Sequence, residues 1–560
     1  MKNNWKKGFV ILALFGAMLG AAGCNKEQEP EKEEIVVPGL VTGQAEWKEL
    51  KESRLSRVSV HDPSIFREED ENGKVTYYVY GTHITSAKSD NLADWKTFTN
   101  GYKKTNNTLY GNLSENLAES FAWAGENDAD CKGGFAVWAP DIVYNENYVN
   151  DDGSKGAYLL YYSVSSTYCR SAIGYAVADT VEGPFTYKGT IVYSGFTQVS
   201  AKDSKSNIDK IWTNTNIDEL MAEGRIEGEY NTTWGVANYN TSYAPNAIDP
   251  TIFTDTEGRM WMCYGSWSGG IYLLEIDPST GDAVYPGKDG TTEDGRVVDK
   301  YFGTRIAGGY GISGEGPYIL YDEATKYYYL YTTYNYLDSV SGYNMRLFRS
   351  EKPEGPYLDA AGNNAAFENR FTNQFQIGIK VMGNYKFTNN SQGYRSPGHN
   401  SAFIDEDGQR YLLYHTRFEN NGERFELRVH QQFINEDGWP VTAVFENRND
   451  LISATGYETS DIVGVYEFIN HGISSDGAGV KYPDIIVIHE DGTISGDHTG
   501  TWEEKEGTYL ATFVVGDVTY KGVFFKQHDE KLKSGLVMTF TAIGNNNETI
   551  WGVKSAEGTE

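Results

Sequence analysis

The sequence predicts an all-β protein, a five-bladed β-propeller followed by a small antiparallel β-barrel or sandwich. Three observations predict it. Helical periodicity is scarce along the 560 residues. A pattern of polar strand start, tight turn and aromatic-rich strand recurs five times. Beyond Gly456 it gives way to short alternating strands broken by Gly and Asn turns.

Taken in order, residues 1–23 read as a bacterial signal peptide: Lys2, Lys6 and Lys7 precede an apolar run from Phe9 to Leu19, which is too short to be a good membrane span. Ala21-Ala22-Gly23-Cys24 has the layout of a lipoprotein box, with Ala21 where Leu is more usual. Residues 24–50, rich in Glu and Lys at their start, read as a lipidated, disordered tether. The expected product is exported and lipid-anchored through Cys24, at the outer membrane or cell surface of a bacterium. The other cysteines, Cys131, Cys169 and Cys263, have no paired spacing that suggests zinc or a disulfide framework.

Residues 51–455 carry the five copies. They begin at Asp62-Pro63-Ser64-Ile65-Phe66, Ala139-Pro140-Asp141-Ile142-Val143, Asp249-Pro250-Thr251-Ile252-Phe253, Glu315-Gly316-Pro317-Tyr318-Ile319 and His399-Asn400-Ser401-Ala402-Phe403. Each is followed by a strand such as Tyr77-Tyr78-Val79-Tyr80 or Tyr327-Tyr328-Tyr329-Leu330-Tyr331. The copies stand farther apart than the roughly 40 to 50 residues of a four-stranded blade, so the surplus is assigned to polar loops at about 89–135 and 195–245 that shape a cleft. In a propeller the innermost strand of every blade lines the central channel, which brings five polar starts to one axial site. Residues 456–560 form the second domain and carry no constellation of carboxylates.

A net charge of -30 and a pI near 4.7 argue against nucleic acid and polyanionic substrates, which the summed field would repel. An aromatic content of 14%, with 41 Tyr and 12 Trp, suits neutral sugars, whose C–H faces pack on rings. Two Asp-Pro steps, at Asp62 and Asp249, and the buried-looking Glu315 then stand out. Proline after each Asp pushes it toward an extended conformation, suited to the first residue of a strand pointing into a cleft. Asp277-Pro278 provides the contrast, an Asp-Pro that reads as an ordinary turn. Three carboxylates at strand starts supply what glycosidic bond cleavage needs, an acid and a base on opposite sides of the bond.

The chain resembles the endo-acting α-1,5-L-arabinanases of glycoside hydrolase family 43 over about 55–455. The likeness rests on His61-Asp62-Pro63-Ser64-Ile65, Trp138-Ala139-Pro140-Asp141-Ile142, Tyr161-Tyr162-Ser163-Val164-Ser165, Ser171-Ala172-Ile173-Gly174, Asn246-Ala247-Ile248-Asp249-Pro250, Gly314-Glu315-Gly316-Pro317-Tyr318 and Gly398-His399-Asn400-Ser401, in that order. One departure is Gly316, where the family usually has Ala; both are small, and Glu315 is expected to keep its place. The resemblance implies an inverting mechanism with Asp62 as general base, Glu315 as general acid and Asp249 as the carboxylate that orients Glu315 and keeps its pKa high. It also matches His399 to an imidazole facing a hydrated metal ion, usually calcium, whereas the residue alone reads as a hydrogen-bonded core His. Trp138 either stacks under an arabinofuranose or fills the core. His61 and Asn246 either contact substrate or satisfy the strand-start backbone. The second domain resembles the C-terminal β-barrel of longer arabinanases. The implied partner is arabinan, a neutral polysaccharide. Two rivals stay open: an exo-acting arabinofuranosidase or β-xylosidase on the same scaffold, and a non-catalytic glycan-binding lipoprotein.

Overall fold

A computed structural model of the chain describes residues 55–126, 136–166, 169–531 and 535–555. The signal segment, Cys24, the tether and Cys131 lie outside them.

The fold is all-β and propeller-like. Four antiparallel four-stranded sheets are present: Ser64–Glu69 to Lys96–Thr97, Val137–Val149 to Thr186–Tyr193, Glu315–Asp322 to Ile379–Lys380, and Tyr394–Ile404 to Pro440–Thr442. The expectation of five like blades is corrected at the third repeat, whose sheet has seven strands. Its Thr251–Thr254, Met260–Tyr264, Ile271–Ile276 and Gly303–Ala307 strands pair in succession, and the connection between the last two folds back to add Ala283–Val284, Gly290–Thr291 and Val297–Asp299. The insertion is long enough to pair with the sheet edge instead of remaining a loop.

Local chemistry explains the hairpins. Asp70 Oδ1 accepts from the backbone N–H groups of Asn72 and Lys74, Asp255 Oδ1 from those of Glu257 and Arg259, and Asn435 Oδ1 from those of Asp437 and Trp439. Each side chain thus replaces a missing turn partner and sets the register of the two strands it joins.

Apolar faces then join neighbouring sheets. Tyr80, Leu160, Tyr162, Met262 and Tyr264 share one cluster across the first three sheets. Cys263, Ile319, Leu330 and Phe348 join the third to the fourth. The fourth meets the fifth through the buried Arg410–Asp322 pair, Nε to Oδ2 at 2.6 Å, and Val79, Tyr411, Leu413 and Val429 join the fifth back to the first. The stretches expected to be polar loops are more structured than that. They contain the helices Ala118–Ala124 and Ile217–Ala222 and bury Trp123, Phe196 and Trp234 in the main cluster.

Eight strands from Gly464–Asn470 to Thr549–Lys554 close into a barrel. Tyr466, Phe468, Phe513, Phe524 and Phe540 fill its interior. Trp551 on the last strand packs against Tyr385 of the propeller, ring centroids 5.1 Å apart.

Candidate active site

One backbone device repeats at the five inner strands. Asp62, Ala139, Asp249, Gly316 and His399 all have left-handed φ, from 37° to 58°, and the first four precede a proline. Sequence reasoning expected an extended Asp before Pro. The structure instead kinks the chain there, and regular strand begins two residues later, at Ser64 and Thr251. Asp tolerates this conformation better than most residues. At the fourth inner strand the kink falls on Gly316, so Glu315 sits one residue ahead of the position that Asp62 and Asp249 occupy. A Cβ on Gly316 would stand 2.8 Å from His399 Cγ.

The kinks converge the predicted carboxylates. Asp62 Oδ1 lies 2.8 Å from His61 Nδ1, 3.0 Å from His399 Nδ1 and 3.5 Å from His415 Nδ1. Its Oδ2 accepts from the Thr82 hydroxyl, whose oxygen in turn accepts the Ala139 N–H at 2.9 Å. The Asp62 N–H donates to His415 Nδ1, and the His415 ring stacks on His61 with centroids 3.6 Å apart. Asp249 is tied to the acid segment through its backbone: Oδ2 accepts the Gly316 N–H at 3.1 Å, while the Asp249 N–H donates to Ser163 Oγ. Glu315 accepts from Tyr343 Oη at 2.7 Å on Oε1, and from Ser266 Oγ at 3.0 Å and Trp267 Nε1 at 3.1 Å on Oε2.

The electrostatics separate these carboxyls. Burial acts to raise all three, but the charges and hydrogen bonds of His399 and His61 overcome it at Asp62 and hold that carboxyl well below the usual range. At Glu315 burial wins over the Tyr343 and Ser266 hydrogen bonds and the His399 charge, and the pKa is raised. Asp249 is pushed up to about 7, by burial first and then by the charges of Glu315 and Asp62 against that of His399. His399 is lifted to about 9, because Asp62 and Asp249 outweigh the burial that disfavours its cation. Burial keeps His415 neutral. The site therefore favours an ionised Asp62 against a His399 imidazolium, beside Asp249 and Glu315, both shifted toward their protonated forms. Carboxyls driven apart in this way are what acid/base catalysis needs.

A calcium ion facing His399 would draw most of its ligands from water. It takes six to eight oxygen ligands. Around His399 the protein offers the Asp62 carboxylate among imidazoles, and His61, Asp62 and His415 bring their ligand atoms within 4.8 Å of one another. Such a nitrogen-rich cluster is not a protein cage for calcium.

The remaining predicted residues are placed as follows. Trp138 is half-buried, next to the kinked Ala139 that bonds Thr82. His61 is in the cluster itself. Asn246 is buried, and its Oδ1 accepts from Ser171 Oγ at 2.8 Å, which ties it to the second sheet. Sequence reasoning missed Thr82, Ser266, Trp267, Tyr343 and His415. Trp267 stands in Gly265-Ser266-Trp267-Ser268-Gly269, whose glycine-flanked Trp was a legible hint; the others carried no local signal.

The barrel braces the acid from behind. Asn335 donates its backbone N–H to Ser313 Oγ, two residues before Glu315, and its side-chain amide to Ser475 Oγ of the barrel. Gly342, which precedes Tyr343, is so close to the same loop that a Cβ there would lie 2.6 Å from Ser475 Oγ. That loop is anchored by fully buried Lys380, whose Nζ reaches both Asp476 oxygens at 3.0 Å and the carbonyl oxygens of His471 and Ser474.

Comparisons with known proteins identify the family. Residues 220–440 match the glycosyl hydrolases family 43, and residues 446–552 match that family's C-terminal lipocalin-like domain. The extracellular endo-α-(1→5)-L-arabinanase 2 of Bacillus subtilis is 37% identical over 513 residues, 89% of this chain and 93% of its own length. The extracellular endo-α-(1→5)-L-arabinanase of Thermotoga petrophila is 38% identical over 513 residues, 89% of this chain and 94% of its own. The crystal structure of endo-1,5-α-L-arabinanase from Thermotoga petrophila RKU-1 superposes with a TM-score of 0.72 at 35% identity, covering 90% of this chain and 99% of that one. With two full-length relatives above a third identity and both domains matched, the chain belongs to glycoside hydrolase family 43.

Proposed function

We propose that the protein hydrolyses internal α-1,5-L-arabinofuranosyl linkages of arabinan with inversion at the anomeric carbon. The observation that carries the reading is the opposed protonation within one buried cluster, Asp62 held as a carboxylate and Glu315 held toward its protonated form. Asp62 takes a proton from water as that water attacks the anomeric carbon. Glu315 gives its proton to the departing sugar oxygen, so charge stays balanced across the step. Asp249 positions the acid through the Gly316 N–H and keeps a proton in the pair by adding negative charge beside it. His399 and His61 keep the base ionised. Trp138 offers its exposed part to a sugar ring, and Asn246 steadies the wall of the cleft. The seven-stranded sheet takes the place of the remaining blade in a five-bladed ring, and the names of the relatives support arabinan as substrate.

Glu315→Gln and Asp62→Asn should each lower kcat on debranched arabinan by about 10² to 10⁴, with mixed oligosaccharides as the wild-type products. Proton NMR of the first product should show the inverted anomer; a retained one would remove Asp62 from its role as base. A calcium ion at His399 would need water for most of its oxygens, and no step here is routed through one. Activity and Tm before and after EDTA, with calcium restored, test that site. Export and lipidation at Cys24 are proposed from the sequence, supported by relatives named as extracellular. Palmitate labelling that survives Cys24→Ala would overturn the anchor.

A further inference from the structure

Trp267 does more than donate to the acid. It stands on a strained turn, with left-handed φ at both Trp267 and Ser268, and its own N–H is fixed to the Gly314 carbonyl oxygen at 2.7 Å. The indole is thus locked to the acid segment at two points, the second being Nε1 on Glu315 Oε2. Tyr336 stacks on the indole, centroids 4.7 Å apart and planes 29° from parallel, and remains 63% exposed. A large ring left that open gains little for folding. It is held flat by its neighbour and already ordered, so a ligand laid on it loses little further entropy. The next turn carries the exposed Leu337 and Val340, which continue the apolar rim.

We infer that Tyr336, backed by Trp267, is the platform for the leaving-side arabinose of the scissile bond. The inference rests on the reading of Glu315 as the acid. The acid must touch the oxygen between the two sugars it separates, and the Trp267 and Tyr336 pair extends from the Glu315 carboxyl toward solvent. Asp62 and its imidazoles make up a separate part of the site, around the carboxyl that activates water. A furanose has one face of C–H groups suited to an aromatic ring, and the pair adds no charge, which matches a neutral sugar. Tyr336 is therefore a specificity-determining residue that binds the departing part of the chain.

The test compares Tyr336→Ala and Tyr336→Phe on linear arabinan and on α-arabinobiosyl fluoride, whose leaving group is fluoride ion and not a sugar. Removing the ring should lower kcat/KM on arabinan about fivefold to tenfold, the size of a lost aromatic stacking contact, mostly through KM. The fall on the fluoride should be much smaller, and Phe should restore most of the arabinan rate. Equal losses on both substrates would overturn the inference, since the residue would then act on the acid or on the other sugar. An unchanged arabinan rate in Tyr336→Ala would overturn it as well. Glu315→Gln on the same two substrates separates the underlying reading: a true acid is needed for arabinan and far less for the fluoride. If that variant loses both equally, the assignment of Glu315 fails, whatever Tyr336 does.

Discussion

At the scale of single residues, function depends on how one positive charge is shared. His399 stands against Asp62, and its imidazolium is felt by Asp249 and Glu315 as well. Asp62 gains most from it and remains ionised far into acid. Asp249 and Glu315 are shifted toward their protonated forms because burial outweighs that help. This fixes the sign of the pH dependence. A depressed Asp62 places loss of the base well below the ordinary carboxylate range. The raised pair moves loss of the acid's proton upward from the ordinary carboxylate range; Asp249 itself stands at about 7 and the His399 cation at about 9. Hence kcat/KM should hold across mildly acidic pH and fall, by about tenfold per unit, once the pH passes the raised pKa of the acid. A rate that climbs from neutral to alkaline pH would show that the proton lies elsewhere.

The element that decides the site is the kinked start of each inner strand. The proline fixes its own φ and denies a ladder donor, and the residue before it turns left-handed to aim its side chain off the sheet. Four such steps and one His-Asn step use the same device with different side chains. Gly316 shows how little room is left, since its φ of 55° and the ring of His399 both oppose a Cβ. Gly316→Ala should therefore push the His399 ring away, weakening its hold on Asp62 at 3.0 Å, and lower kcat by about tenfold or more. Wild-type kcat with an unmoved alkaline limb would show that the ring yields without consequence.

At the scale of the whole molecule the barrel is part of the catalytic apparatus's support. Its aromatic interior is filled, so it offers packing and a loop, and that loop reaches Asn335 and Gly342, both ahead of Tyr343, the acid's hydrogen-bond partner. Lys380 and Asp476 anchor the loop where both side chains are buried. Asp476→Ala leaves a buried ammonium without its partner and should cost about 3 to 5 kcal/mol of stability, read as a lower Tm. Replacing the pair together, Lys380→Met with Asp476→Leu, should recover most of that loss. Equal Tm values for the single variant and wild type would contradict the anchoring role.

The linear chain by itself determined the all-β class, the barrel after residue 456, and the identity of Asp62, Asp249, Glu315 and His399 as the residues to watch. The class and the barrel follow from strand alternation and turn residues, which act over a few positions; the carboxylates stood out by their Asp-Pro and Gly-rich settings, and His399 by the resemblance to the family. Tertiary structure decided the rest. Thr82, Trp267, Tyr343 and His415 reach the carboxyls from other strands and turns, the third repeat widened to seven strands because its insertion found a free edge, and Asn246 proved to be tied to Ser171. Above all, which carboxyl gives a proton and which takes one depends on burial and on a shared imidazolium. Both arise only when segments hundreds of residues apart are brought within about 3 Å in a water-poor channel, where charges act strongly on one another.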